Sequence, residues 1–288
     1  MKRITFEELH EFLEESLSNI SKQFRDNNII WWAHAGTALG VMRHKGLIPW
    51  DDDIDMGMSI SHYWDNKDKI EKIAEDNGWS LRDKYDRKYK ALDVTRLIYK
   101  EQFIVTYEGR EYKFRPFIEI MLGTTVNKES KFMAKWWKVE NKLLHMYMGL
   151  PYRFKSTEGD NPRPSLLLRT VYTLGTKLVR FTLLPVWLVK GQQYLRVKYV
   201  EKKYKDTDTC ALHYAFLQAK RNVFMSKTDI KYVEGNKGRM FPVQRDVERL
   251  LTSYYGDWKQ LPKEENRKPA HMFLYEDDPV IQDPFFIN

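Results

Sequence analysis

Two aspartates in an apolar segment offer the clearest chemistry in this chain. Asp53 and Asp55 are two positions apart, and Ile54, Met56 and Met58 alternate with them. Because a β-strand directs alternate side chains to opposite faces, the two carboxylates are expected to share one face. Like charges held this close favour a divalent cation with oxygen ligands, Mg²⁺ or Mn²⁺. The pattern therefore predicts a metal site of the kind that handles phosphate.

A solvated acidic turn is the competing interpretation of this cluster. The apolar residues on both sides, Ile48-Pro49-Trp50 and Ile54, favour carboxylates at the mouth of a buried strand instead. The same spacing recurs at Asp206 and Asp208, but there it follows a lysine-rich stretch and precedes no apolar strand. That second pair is expected to form a turn or a helix cap.

The residues before the cluster predict a strand, a glycine turn and a short helix that ends near Gly46. Gly36 would let the backbone approach a ligand closely, and Thr37 is expected to cap the helix. The N–H groups of the first helical turn would then form a phosphate site. An ordinary N-cap without a ligand is the alternative. His34, at the end of the strand, is expected to be a hydrogen-bonded structural group.

Two separated motifs resemble one protein family. The stretch from Gly36 to Asp55 is similar, nearly residue for residue, to the signature of the LicD family, which includes bacterial phosphocholine transferases and, more distantly, the fukutin group. A second match near the C-terminus comprises Tyr254-Tyr-Gly256-Asp257, Leu261-Pro262, Arg267 and His271. The middle of the chain matches only loosely.

The resemblance implies an α+β fold, with a polymerase-β-like nucleotidyltransferase core, a mixed β-sheet and a helical elaboration. Proteins of that fold carry a third carboxylate on a neighbouring strand, and Glu119, between Ile118 and Ile120, fits this position. Residues 102–114 predict a hairpin that leads into this strand. A structural ion pair between Glu119 and Arg115 is the alternative.

The function implied by the resemblance is metal-dependent transfer of a phospho-alcohol group, foremost phosphocholine from CDP-choline. The acceptor would be a hydroxyl of a cell-surface glycan, of its precursor or of a lipid-linked glycan, as in cell-envelope polysaccharide synthesis. Ribitol, glycerol or ethanolamine phosphate are alternative groups. A nucleotidyltransferase that attaches a nucleoside monophosphate is a further alternative, and a non-catalytic binding protein that has kept the fold is another.

The expected roles follow from the two motifs and the chemistry of the residues. Three carboxylates would hold Mg²⁺ or Mn²⁺ and act in catalysis: Asp53, Asp55 and Glu119. Six residues would bind substrate, either by cradling phosphate or by binding the charge of the CDP-linked donor: Gly36, Thr37, Arg43, Trp50, Arg267 and His271.

Length and composition favour one compact soluble enzyme. The chain has 288 residues, of which 42% are hydrophobic and 31% charged. We expect a nucleotidyltransferase core with an N-terminal helix over 1–125, a basic helical elaboration over 126–210, and a segment that completes the active site over 211–288. Thr5 and Glu8 form a capping-box pattern that opens a helix running to about Asn27. No secretory signal pattern is present, which predicts a cytoplasmic location, either free or at the inner face of the membrane.

The net charge of +8 is concentrated between Lys155 and Lys205, and residues 166–205 form a distinct segment within this stretch. Residues 165–184 predict an amphipathic helix, and the apolar run from Phe181 to Val189 overlaps its end and includes Leu183, Leu184, Trp187 and Leu188. The segment is expected either to pack as a helical subdomain or to make peripheral contact with an anionic membrane. No nucleic-acid-binding motif accompanies the charge, so no nucleic-acid partner is expected. Cys210, the one cysteine, excludes an internal disulfide.

Overall fold

The computed structural model describes residues 1–83, 94–125, 174, 186–212 and 224–274. Most of the helix expected over 165–184 lies outside the described residues, as do Leu183 and Leu184 and the side chains of Trp187 and Leu188. The choice between a packed and a membrane-facing segment there stays a prediction.

The first helix begins at the predicted capping box. The Thr5 hydroxyl accepts a hydrogen bond from the Glu8 N–H, and the Glu8 carboxylate accepts one from the Thr5 N–H. Helix α1 spans Phe6–Asp26 and buries an apolar face made by Leu9, Leu13, Leu17, Ile20 and Phe24. This face packs against the main hydrophobic core, so the predicted N-terminal helix is confirmed.

A mixed sheet places the acidic residues side by side. Its strands are β2 (Trp32–Ala33), β3 (Ile54–Ser59), β8 (Phe117–Thr125), β9 (Thr209–Leu212) and β10 (Phe224–Ser226), in the order β10-β9-β8-β3-β2. Strands β3 and β8 are parallel, with Asp55 directly beside Glu119. Strand β5 (Thr95–Tyr99) runs antiparallel to β8 on its other edge and places Arg96 beside Glu119, while β4 (Trp79–Arg82) pairs with β5.

A second sheet contains the predicted hairpin. Strands β6 (Phe103–Tyr107) and β7 (Arg110–Phe114) pair antiparallel, and β1 (Lys2–Thr5) pairs parallel with β6. Two helices flank β3 along the chain: α2 (Ala35–His44) precedes it and α3 (Ile60–Asp76) follows it. Because helices cover the sheet, all six residues of β3 are buried.

The C-terminal half adds a long helix, a hairpin and two helices near the acidic cluster. Helix α4 spans Val186–Lys203. Strands β11 (Ile230–Glu234) and β12 (Met240–Gln244) pair antiparallel, and α5 (Val247–Tyr255) and α6 (His271–Leu274) follow. In the described part of the chain, no helix is long and apolar enough to cross a membrane. The mixed sheet with flanking helices confirms the α+β class at this level, whereas the three-part domain division stays a prediction.

Candidate active site

Three carboxylates meet at the start of the parallel strands. Asp53 immediately precedes β3, Asp55 is its second residue, and Glu119 lies beside Asp55 on β8. One carboxylate oxygen from each residue lies within 4.8 Å of the others. Asp53 is 4% exposed and Asp55 9% exposed, which excludes a solvated turn. The structure therefore brings together the three residues that the sequence predicted as metal ligands.

The start of α2 holds Asp55 through two hydrogen bonds. The Gly36 N–H donates to Asp55 Oδ2 at 3.0 Å, and the Asp55 N–H donates to Thr37 Oγ1 at 2.7 Å. The N-cap residue is His34, so the prediction that Thr37 caps this helix is wrong. Thr37 lies inside the first turn, where its hydroxyl serves the backbone of β3 instead.

Gly36 packs closely against the carboxylates. A Cβ atom at this position would lie 2.9 Å from Asp51 Oδ2 and 3.4 Å from Asp55 Oδ2. The preceding residue, Ala35, has φ of +36°, a strained value for a residue with a side chain. The predicted close approach is present, but in this structure the Gly36 N–H faces a carboxylate of the protein.

Burial and crowding disfavour ionisation of this cluster. Burial raises the pKa of Asp55 to about 8, with further contributions from Glu119 and Asp51. Burial also raises the pKa of Asp53 well above its ordinary value, against an opposing effect of His271, and raises the pKa of Asp51 to about 6. A bound cation would relieve this cost, because an opposite charge favours the ionised carboxylates.

Asp52 has a different role from its neighbours, which the sequence reasoning missed. It is fully buried and accepts hydrogen bonds from the His271 N–H at 3.2 Å, the Met272 N–H at 2.5 Å and His271 Nδ1 at 3.0 Å. Its carboxylate thereby holds the start of α6 and orients the imidazole. Asp52, Asp53 and His271 also form a group that could hold a metal, but the three donors to Asp52 indicate a hydrogen-bonded anchor.

His271 lies beside the carboxylates, as the C-terminal motif predicted. Its Nδ1 is 3.5 Å from Asp53 Oδ1, and its ring packs edge-on against Phe117. Burial lowers the pKa of His271, but the nearby Asp53 and Asp52 outweigh this effect and hold the pKa well above the ordinary value. A protonated His271 therefore offsets part of the negative charge.

Glu119 forms an ion pair with Arg96, and not with Arg115, the alternative partner considered from the sequence. Arg96 donates from both Nε, at 2.9 Å, and Nη2, at 2.6 Å, to the same Glu119 oxygen, Oε1. Arg115 instead donates to the carbonyls of Tyr99 and Lys100, so the alternative pairing with Glu119 is wrong. Because Arg96 uses one oxygen of Glu119, this carboxylate can hold its position by the ion pair and still contribute to the cluster.

The predicted substrate-binding arginines make structural contacts. Arg43 Nη1 donates to the carbonyls of Trp258 at 3.0 Å and Gln260 at 3.1 Å, which ties α2 to the C-terminal motif. Arg267 donates to the Pro262 carbonyl, and its guanidinium lies 5.8 Å from the centre of the Trp50 ring. The structure thus brings Trp50 and Arg267 into contact and gives Arg43 a positioning role.

Two further residues match the roles expected of them. His34 is buried, its Nε2 lies 3.4 Å from the Tyr254 hydroxyl, and burial lowers its pKa to about 3, as suits a neutral structural histidine. Asp208 accepts hydrogen bonds from the hydroxyls of Ser226 and Thr228, which makes it the anchor of a turn.

Comparison with known proteins agrees with this arrangement. Residues 28–144 match the family described as LicD/FKTN/FKRP, nucleotidyltransferase domain, a range that contains all three carboxylates. The chain carries a LicD-family domain. Over 240 residues it is 25% identical to the lipopolysaccharide cholinephosphotransferase LicD of Haemophilus influenzae, a match that covers 82% of this chain and 84% of that protein.

Two other relatives share shorter stretches with this chain. An uncharacterised protein of Rickettsia prowazekii is 40% identical over 89 residues, which cover 30% of each protein. The ribitol-5-phosphate transferase FKTN of Mus musculus is 29% identical over 82 residues, 28% of this chain and 17% of that protein. Similarity to named phosphotransferases supports assignment of the chain to the same class of enzyme.

Proposed function

We propose that this LicD-family phosphotransferase moves a phospho-alcohol group, foremost phosphocholine, from a CDP-linked donor to a hydroxyl of a cell-surface glycan or its precursor. The observation that carries the proposal is the meeting of Asp53, Asp55 and Glu119 inside the matched domain. The similarity to a cholinephosphotransferase over most of the chain supports the choice of group. We further propose that the mixed sheet is a polymerase-β-like nucleotidyltransferase core.

The carboxylates fit Mg²⁺ or Mn²⁺. They supply hard oxygen ligands from two adjacent strands, and their burial makes an uncompensated set of charges costly. When bound, such an ion would neutralise charge on the diphosphate and on the departing cytidine monophosphate. Asp53 and Asp55 would be the principal ligands, and Glu119 would hold a second ion or accept the proton of the acceptor hydroxyl.

The remaining residues would position the donor. Arg267 and Trp50 together offer a cation beside an aromatic face, which suits a phosphate next to a nucleobase or an alkylammonium group. His271 would add a positive charge beside Asp53. The first turn of α2, with Gly36 and Thr37, would act mainly by holding Asp55 in the orientation needed for the ion.

Ribitol phosphate is the second candidate group, because 28% of this chain is similar to the ribitol-5-phosphate transferase FKTN. A panel of CDP-choline, CDP-ribitol, CDP-glycerol and CDP-ethanolamine with Mg²⁺ tests both. A bound donor at a hundred times its dissociation constant should stabilise the protein by roughly 2.7 kcal/mol, so the true donor should stand out in thermal melting. The same donor should release free cytidine monophosphate when a glycan acceptor is added. Gain of a nucleotide mass by the acceptor would instead support a nucleotidyltransferase.

We predict that metal affinity rises with pH up to about 8. Below the pKa of Asp55, about 8, metal must displace at least one proton, so affinity should fall by at least about tenfold for each pH unit below that value. Calorimetry with Mn²⁺ in buffers of different ionisation enthalpy measures the protons released. At least one proton should be released near pH 7, because the pKa of Asp53 is raised as well, and fewer should be released near pH 9. Affinity that is constant between pH 6.5 and pH 8, within roughly twofold, would contradict a role for Asp55 as a ligand.

A further inference from the structure

Helix α4 exposes apolar side chains on one face. Leu195 is 68% exposed and Tyr199, one helical turn later, is 59% exposed. The opposite face is buried, with Val197 at 2% and Val200 at 6% exposure. Burial of Val197 and Val200 fixes the rotation of the helix, so Leu195 and Tyr199 point away from its buried side.

The same exposed face carries only positive charge. Lys202 and Lys203 are exposed beside Leu195 and Tyr199, and Lys198 is also exposed, with its ammonium 4.4 Å from the centre of the Trp64 ring. The one acidic residue in the sequence of α4, Glu201, faces inward, where it accepts hydrogen bonds from the Thr125 N–H at 2.6 Å and the Thr125 hydroxyl at 2.8 Å. An apolar centre with a lysine rim therefore remains on the outer side.

We propose that this lipid-contact face, made of Leu195, Lys198, Tyr199, Lys202 and Lys203, lies against an anionic lipid bilayer. Leucine and tyrosine at the centre would enter the headgroup region, and the lysines would contact anionic headgroups at its edge. Long lysine side chains suit this position because their stems cover apolar surface while the ammonium groups stay in water. A helix whose outer face contacted only solvent would gain nothing from a leucine that is 68% exposed.

The position of this face relative to the acidic cluster suits a substrate held at a membrane. Glu201 joins α4 to Thr125, six residues beyond Glu119 on β8, which corresponds to about 20 Å of strand. A group that projects from a lipid headgroup could span such a distance. This last step rests on the proposed function, whereas membrane binding itself does not require activity and is tested separately.

Sedimentation of the full chain with vesicles tests the proposal. The protein should sediment with phosphatidylcholine vesicles that contain phosphatidylglycerol, should be released in large part by high salt, and should bind phosphatidylcholine alone weakly. The double variant Leu195→Ser, Tyr199→Ser should reduce bound protein about tenfold, because two apolar side chains no longer enter the bilayer. Its melting temperature should match that of the parent, since both side chains are exposed.

Two matched variants separate lipid contact from general effects. Lys198→Gln with Lys202→Gln should abolish the difference between anionic and neutral vesicles. The control pair Tyr232→Ser, Met240→Ser removes two side chains that are each 41% exposed on the β11–β12 hairpin, and it should sediment like the parent. The proposal is overturned if the parent stays in solution with anionic vesicles, or if the α4 double variant binds as the parent does. Early melting of that variant, or a change in its oligomeric mass, would assign the face to protein packing instead.

Discussion

Replacing Asp53 with asparagine is expected to lower turnover by at least a hundredfold while the protein stays folded. The amide keeps the shape of the side chain but removes a charge from the group that would hold the metal, and electrostatic stabilisation at such sites contributes orders of magnitude in rate. Release of cytidine monophosphate from the CDP-linked donor that the thermal-melting panel selects measures the effect. Asp55→Asn should behave in the same way, because both carboxylates belong to the same cluster.

The same substitution should stabilise the protein in the absence of metal. Asp53 is buried beside other acidic groups, and its pKa is raised, which means that its ionised form is unfavourable in the folded state. Removing that ionisation should raise the melting temperature in chelator at pH 8 and abolish the further rise on addition of Mn²⁺. A variant that retains more than about a tenth of the parent turnover would exclude Asp53 as a ligand.

Asp208→Asn is the matched control, since it alters the other aspartate pair with the same spacing. Asp208 accepts hydrogen bonds from Ser226 and Thr228 in a turn, and an amide oxygen can replace part of this function. Turnover should stay within about twofold of the parent. A large loss of turnover in this variant would mean that the wrong pair had been assigned to the metal.

The local elements were predictable because their signals are short-range. The capping box at Thr5 and Glu8, the strand that carries Asp55, and the hairpin over 102–114 each depend on residues only a few positions apart. The carboxylate of Glu119 was found through the resemblance to a known fold, and the structure brings it beside Asp55. These features agree because local propensity and tertiary packing favour the same conformation.

The errors concern partners that are distant in the chain. Nothing near Glu119 in sequence indicates Arg96, since the pair forms only when β5 aligns antiparallel with β8. Thr37 resembles an N-cap residue, but helix α2 begins two residues earlier, at Ala35. The Thr37 hydroxyl instead accepts a hydrogen bond from the Asp55 N–H of β3. The contacts of Arg43 with the carbonyls of Trp258 and Gln260 also depend on a distant segment, whereas its expected role in donor binding stays a prediction.

The roles of three consecutive aspartates could not be separated by sequence either. Asp51, Asp52 and Asp53 have the same side chain, and only the C-terminal segment distinguishes them. Asp52 turns inward to α6, while Asp53 faces the cluster with Asp55 and Glu119. The Asp53 carboxylate would hold metal, whereas the Asp52 carboxylate anchors α6.

Asp52→Ala is therefore expected to destabilise the protein by about 3 to 5 kcal/mol, because it leaves donors without a partner in a fully buried position. Asp52→Asn should cost less, about 2 kcal/mol, since its oxygen still accepts but its NH₂ group faces a donor. Denaturant unfolding of both variants in chelator measures these losses.

His271→Ala is the informative comparison for these losses. It removes the imidazole but keeps the two backbone N–H donors from His271 and Met272 to Asp52, so it should destabilise less than Asp52→Ala. The sharpest contrast lies between adjacent positions. Asparagine at 53 should raise the stability of the metal-free protein and asparagine at 52 should lower it, although each replaces one carboxyl group by an amide. Equal effects at the two positions would show that Asp52 does not anchor α6, because a difference of sign is what separates a satisfied buried carboxylate from a crowded one.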